Sequence, residues 1–274
     1  IRAVEAADLI NYNAGLPGAD TLLFYLSQSG SSGEVLPLFE RLGGQVRSVA
    51  VTNDPHSELG QRADLTLPLR AGDETLVATK TYLNSQAVLW LVARRLAGAW
   101  TGGEITQLFQ AAERVENLLQ AAQETAQRLL DAFDLRAPLL FLGHGPHAMT
   151  ARQAAMVMSE WAKLPALHFG IGAFRHGYIE AVQEGFGAVV FSSPGRGAGS
   201  ALMVARELES YRVRVLLVEN GRLRAPGEAA DPWSIDEFLS PLLDIVPVQL
   251  FTEALARERG WDGFRYIQKV VRDL

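Results

Sequence analysis

The stretch Thr21-Leu22-Leu23-Phe24-Tyr25-Leu26-Ser27-Gln28-Ser29-Gly30-Ser31-Ser32 decides the fold. Its first six residues form an unbroken apolar run, which suits a buried parallel strand better than the half-wet strand of an antiparallel sheet. A Ser/Gln/Gly turn follows. Next comes Glu34 to Leu42, whose apolar Val35, Leu38, Phe39 and Leu42 recur at three- and four-residue spacing and end at Gly43-Gly44. That is the pattern of an amphipathic helix with its C-terminal glycine. Val46 to Thr52 then reads as a second buried strand, and strand, turn, helix, strand is the unit of a doubly wound parallel sheet.

Working outward, Asp64 to Leu69 reads as a weaker strand, followed by a loop containing Gly72 and a long helix from about Thr79 to Leu96. Trp100 to Gly103 is punctuation. From Glu104 to Phe133 the chain is rich in Ala, Gln, Glu and Leu, and reads as a linker helix between domains or along a dimer seam. The second half retraces the first: Ala188 to Phe191, the turn Ser192 to Gly197, a helical Ser200 to Leu208, then Val213 to Val218 and Glu219-Asn220. Ser27 and Asn53 are 26 positions apart, Ser192 and Asn220 28. The expected architecture is therefore α/β: two tandem three-layer αβα domains, each a doubly wound parallel sheet of flavodoxin or Rossmann type. The expected divisions are residues 1–103, a linker helix over 104–133, and 134–274 with a C-terminal tail. The chain starts at Ile1, and a Gly/Pro loop (Gly15 to Gly18) follows at once on its first strand-like stretch, so the first domain is expected to lack its initial strand.

At 274 residues and 48% hydrophobic, the chain has enough apolar surface for two ordinary cores. It contains no cysteine, which removes disulfides, thiolate metal ligands and a Cys nucleophile and fits a reducing compartment; the cytoplasm is the expected location. The net charge of -6 is spread along the chain without a basic block, which argues against a nucleic-acid partner. No apolar run approaches the roughly 18 residues of a membrane span.

In an open parallel sheet, ligands bind beyond the carboxyl ends of the strands, where the following helix presents free N–H groups. The turn after Leu26 is in that place. Ser27, Ser29, Ser31 and Ser32 supply hydroxyls, Gln28 an amide, and Gly30 a close backbone approach, which together suit a phosphate group. A turn whose serines only cap the helix is the plain alternative. The matching turn at Ser192, with Pro194 and Arg196 in it, has fewer such groups and reads as the relic of a duplicated site.

Leu26-Ser27-Gln28-Ser29-Gly30 resembles the phosphate loop of the sugar isomerase (SIS) family, in particular the isomerase domains of glucosamine-6-phosphate synthases and related phosphosugar isomerases. Ala71-Gly72-Asp73-Glu74-Thr75 with Val77-Ala78-Thr79-Lys80 resembles the family's next sugar-facing loop. Phe141-Leu142-Gly143-His144-Gly145 through Ser159-Glu160 is similar to its strand, Gly-x-Gly turn and helix, Phe174-Arg175-His176-Gly177 to its His-Gly element, and Arg265-Tyr266-Ile267-Gln268-Lys269-Val270 to its closing segment.

The resemblance implies tandem SIS domains. It assigns the substrate phosphate to Ser27, Gln28, Ser29, Gly30 and Ser32, and the sugar to Val77, Ala78, Thr79 and Gln153. It implies three catalytic roles: Glu160 as the base shuttling a proton between C1 and C2, His176 opening the ring and reaching a neighbouring subunit, and Lys269 at the carbonyl. No cofactor or metal is implied. The expected partners are a sugar 6-phosphate and a second copy of the chain in a homodimer with shared active sites.

These residue types fit the chemistry. Aldose-ketose interconversion needs one carboxylate that takes and returns a proton across a cis-enediol, a ring-opening group titrating near neutrality, and a lysine to stabilise negative oxygen or form a Schiff base. A lone Glu, His or Lys is more often a solvated or structural residue, so the resemblance alone singles these three out. His144, His147 and His168 lack carboxylates at ligand spacing and are not expected to hold a metal, and His56 reads as part of a surface turn.

The pattern also departs from the family: Gln153 and Val157 stand where a glutamate and a lysine are expected, and Ala173 and Tyr178 where an acidic residue and a proline are expected. The expected function is a hexose or amino-hexose 6-phosphate isomerase, or its deaminase or deglycase variant. The alternative is a non-catalytic sugar-phosphate sensor. A Rossmann dehydrogenase is disfavoured because neither Ser/Gly turn fits Gly-x-Gly-x-x-Gly.

Overall fold

The computed structural model describes residues 1–12, 18, 20–42, 44, 46–74 and 77–260. The chain divides into two compact units, one over Ile1–Leu89 and one beginning at Trp90. The first contains α1 (Ala6–Tyr12), a helix where the sequence reads as strand-like because Ala6, Leu9 and Ile10 share one face against the core, then β1 (Leu22–Leu26), α2 (Val35–Leu42), β2 (Arg47–Thr52), α3 (Glu58–Arg62) and β3 (Leu65–Pro68). The helix α4 (Lys80–Leu96) starts in this unit and continues into the next.

The three strands pair in parallel in the order β1-β2-β3, with Leu26 opposite Val51 and Val51 opposite Leu67. Val35, Leu38 and Leu42 of α2 pack with Leu9, Tyr25, Val46, Ala50 and Leu59 into the unit's core. The central strand β2 is buried at every position after Arg47. In contrast, β1 is not buried on both faces as its apolar run predicts: Leu22 is 47% and Leu26 45% exposed, whereas Tyr25 lies in the core. The cause is its place at the edge of the described sheet. Alternate residues face opposite sides, and Leu23 and Tyr25 face the helices.

The second unit opens with α5 (Glu104–Gln120) and α6 (Ala122–Ala132), followed by β4 (Leu139–Gly143), α7 (Pro146–Glu160), β5 (Leu167–Gly170) and α8 (Ile171–Arg175). A 3-10 turn (Tyr178–Ala181) leads to β6 (Gly187–Phe191), α9 (Ala198–Ser210), β7 (Arg214–Glu219), β8 (Arg222–Arg224), α10 (Pro241–Asp244) and α11 (Val246–Glu258). The sheet order is β5-β4-β6-β7-β8; its first four strands are parallel and β8 is antiparallel. Every residue of β4 and β6 is buried, as unbroken apolar strands between helical layers should be.

Residues 104–133 fold as two helices, because Ala121 leaves helical geometry between them. No Gly or Pro marks that break in the sequence. The carboxylate of Glu104 fixes the start of α5: it is fully buried and accepts from the N–H groups of Thr101 and Gly102 and from the Arg94 guanidinium. The β7–β8 hairpin turns on Asn220 and Gly221, both at positive φ (51° and 78°), the geometry that an Asn-Gly pair favours in a two-residue turn. A Cβ on Gly221 would also lie 2.2 Å from Leu118 Cδ1.

Leu38 tests the first core. Leu38→Ala is expected to lower the unfolding free energy by about 2–5 kcal/mol, and Glu40→Ala on the exposed face of the same helix to change it by no more than about 0.5 kcal/mol. Urea denaturation followed by circular dichroism measures both, and equal effects would contradict this packing.

Candidate functional site

In the first unit, the carboxyl ends of all three strands feed polar loops, and the β1–β2 ladder continues past the strands into them. Ser27 N–H donates to the Val51 carbonyl at 3.1 Å, and the Gln28 carbonyl accepts from Asn53 N–H at 3.0 Å and from the Thr52 hydroxyl at 3.2 Å. The serine turn thus has its backbone fixed at the place where parallel sheets bind ligands.

Within the turn, Gly30 N–H donates to Ser27 Oγ at 3.2 Å, and the Ser27 and Ser32 hydroxyls lie 3.3 Å apart. Ser31 N–H donates to Ser29 Oγ at 3.2 Å. Gln28, Ser29 and Ser31 are exposed, and Ser27 and Ser32 half-buried. Gly30 has φ +64°, and a Cβ there would lie 1.9 Å from Ser57 Oγ and 2.8 Å from Thr52 Oγ1. No residue with a side chain fits. Ser57 is itself committed: its hydroxyl donates to the Asp54 carbonyl at 2.6 Å and accepts from Gly60 N–H at the start of α3.

The second loop is tied to the first by Asn53. Its side-chain amide donates to the Gly72 carbonyl at 2.8 Å and its side-chain oxygen accepts from Ala71 N–H at 2.9 Å. Further along, Glu74 caps the start of α4: it accepts from Thr79 N–H at 3.0 Å, from Thr81 N–H at 3.1 Å and from the Thr81 hydroxyl. Burial pushes the Glu74 carboxyl up, but these donors outweigh it and hold it below the usual carboxylate range. Val77 is buried, Ala78 and Thr79 are half-buried, and Lys80 Nζ donates to the Asp73 carbonyl at 2.6 Å. Sequence reasoning misses Asn53, whose side-chain partners Ala71 and Gly72 lie 18 and 19 positions further along the chain.

In the second unit, Gln153 and Glu160 lie on α7, two turns apart, with Gln153 buried and Glu160 half-buried in the helix's last turn. Burial raises the Glu160 pKa above its ordinary value, and the Lys163 ammonium partly opposes this. Lys163, at φ +54°, folds back so that its Nζ donates to the Glu160 carbonyl at 2.6 Å. The sharp entry to α7 rests on Gly143, where a Cβ would meet the His147 carbonyl at 2.1 Å, and on Gly145 at φ +53°. His176 is exposed at the end of α8, and Lys269 lies outside the described residues.

The other histidines divide by environment. His147 is buried, His144 is half-buried against Gly197, and His56 and His168 are exposed. In one unit Asn53 ties the serine turn to Ala71 and Gly72; in the other Gln153 and Glu160 lie on α7, and His176 follows α8 after the intervening strand β5.

An α/β fold of this kind is shared with known sugar-phosphate enzymes. The C-terminal domain of glucosamine-fructose-6-phosphate aminotransferase from Francisella tularensis superposes with a TM-score of 0.82 at 21% identity, covering 96% of this chain and 78% of that one. Glucosamine-6-phosphate deaminase from Thermotoga maritima gives a TM-score of 0.75 at 22% identity, covering 93% and 76%. In sequence, the chain is homologous to glutamine–fructose-6-phosphate aminotransferase (isomerizing) from Gloeobacter violaceus, 28% identical over 257 residues. That alignment takes in 89% of this chain but only 42% of the relative, so the chain spans less than half the length of that protein. No family model matches the chain. Among the described residues, no helix is long and apolar enough to cross a membrane.

Two substitutions test the corner. Gly30→Ala is expected to cost more than about 2 kcal/mol of stability, through strain at positive φ and the collision with Ser57. Asn53→Ala is expected to cost about 1–2 kcal/mol, from two lost hydrogen bonds, and to speed hydrogen exchange at the Ala71 amide. Thermal denaturation and exchange mass spectrometry measure these effects, and an unchanged Ala71 exchange rate would contradict the tether.

Proposed function

We propose that this chain binds a hexose or amino-hexose 6-phosphate through Ser27, Gln28, Ser29, Gly30 and Ser32 and moves a proton between its C1 and C2, as an aldose-ketose isomerase or the deaminase or deglycase variant of one. The observation that carries this reading is the serine corner, whose backbone is fixed by the end of β2 and whose hydroxyls gather at the carboxyl end of a parallel sheet. The sugar would lie along Val77, Ala78 and Thr79, with Gln153 hydrogen-bonding a hydroxyl.

Glu160 is the proposed base. A carboxyl raised toward neutrality by burial is better matched to proton transfer from carbon than an ordinary one. His176 would open the ring, its exposure being consistent with completing the site of a second copy, and Lys269 would stand at the carbonyl. The wider assembly we propose is a pair of tandem SIS domains, divided by the helices of 104–133, in a cytoplasmic homodimer.

The sensor reading has one observation in its favour: at Gln153 and Val157 the α7 face lacks two charges of the synthase pattern. The two readings part on turnover. Incubated with fructose 6-phosphate or glucosamine 6-phosphate in heavy water, the protein is expected to place deuterium at C2, at a rate that rises with pH as Glu160 loses its proton, through a midpoint above the ordinary 4.5. Glu160→Gln should slow exchange by at least roughly 100-fold and leave binding intact. Exchange undiminished in that variant would refute the role of Glu160, and no exchange with tight binding would make the protein a sensor.

A further inference from the structure

The turn after β6 repeats the local geometry of the serine corner, but its polar groups are already taken. Ser192 N–H donates to the Val218 carbonyl at 2.9 Å, just as Ser27 N–H does to Val51. The next side chain, Ser193, accepts Asn220 N–H at 2.8 Å, so its one hydroxyl proton is free for another acceptor. That acceptor is Asp244, the last residue of α10: Ser193 Oγ donates to Asp244 Oδ2 at 2.5 Å and Gly221 N–H to Oδ1 at 2.7 Å.

His147 completes the enclosure. The Ser240 hydroxyl donates to the Glu237 carbonyl at 2.9 Å and therefore accepts from His147 Nε2–H, 3.1 Å away; the same Nε2 lies 3.4 Å from Asp244 Oδ2. Asp244 is 0% exposed, and Ser193, Asn220 and His147 are buried with it. The other charged groups that bear on it, Glu219 and Arg114, are closed off in pairs with Arg224 and Asp231.

We infer that the corner after β6 is an anion site whose ligand is built into the chain: the side-chain carboxyl of Asp244 holds the position, at the carboxyl ends of β6 and β7, where an open corner would hold an external oxyanion. A hydroxyl and a backbone N–H each donating to one carboxyl oxygen, with the His147–Ser240 pair closing the third side, is the kind of donor set that holds an oxyanion. This corner of the second unit is thereby closed to phosphate. This inference does not depend on catalysis or on the sugar.

Refilling the vacated corner tests it, at pH 8.5, above the value of about 7 to which burial raises the Asp244 carboxyl. Asp244→Gly should lower Tm, and 100 mM formate should recover at least half of the loss, with no comparable gain in the wild type or in Asp244→Gly/Ser193→Ala. An equal effect of formate on all three would overturn the inference.

The wild type gives a second readout that needs no variant to fold. Titrated with inorganic phosphate, its Gly221 and Ser193 amide NMR signals should stay in place; movement of both would show phosphate entering the corner and overturn the inference. Failure of phosphate to move the Gly30 amide in the same titration would count against the proposed serine-corner site and leave this inference standing.

Discussion

The candidate site depends on the β1–β2 ladder running beyond the strands. Two strands that stopped at Leu26 and Thr52 would leave the next residues free to sample many conformations. Instead, the Gln28 carbonyl receives both the Asn53 N–H and the Thr52 hydroxyl. This fixes the turn before any ligand arrives, and preorganisation of this kind spares a bound anion the cost of ordering its own cradle. The same Asn53 then holds Ala71 and Gly72, so a single residue sets both the corner and the loop beside it.

The two units treat polar groups at their strand ends differently. In the first, exposed and half-buried serines meet solvent above a glycine that admits no side chain. In the second, a hydroxyl, a carboxyl and an imidazole are sealed together with little access to water. The first arrangement suits an exchangeable ligand. The second suits a permanent internal contact, because buried polar groups must satisfy one another when water cannot. The pKa directions follow: burial pushes Asp244 up to about 7 and lowers His147 to about 4, both toward their neutral forms.

Most of the fold was legible because apolar periodicity reports burial directly. The runs at 188–191 and 213–218 became buried strands, and the spacing of Val35, Leu38 and Leu42 became the inner face of α2. Edge position was not legible: β1 has the composition of a fully enclosed strand, yet Leu22 and Leu26 lie open because enclosure depends on what packs over a face, which no local pattern encodes. The break at Ala121 carries no Gly or Pro, whereas Asn220-Gly221 is a strong hairpin signal and does mark the β7–β8 turn. In the candidate site, the serine turn could be read because donors cluster within six residues. Asn53 and Asp244 could not, since each acts on partners far along the chain.

The proposed grip on an oxyanion lies where β1 runs into its serine turn. Amide NMR of the full chain during titration with fructose 6-phosphate tests it most directly. The account predicts that the Ser29, Gly30 and Ser31 amides shift first and saturate together, with the Ala71 and Gly72 amides following in the same binding event. Saturable binding that leaves those five amides unmoved would contradict it.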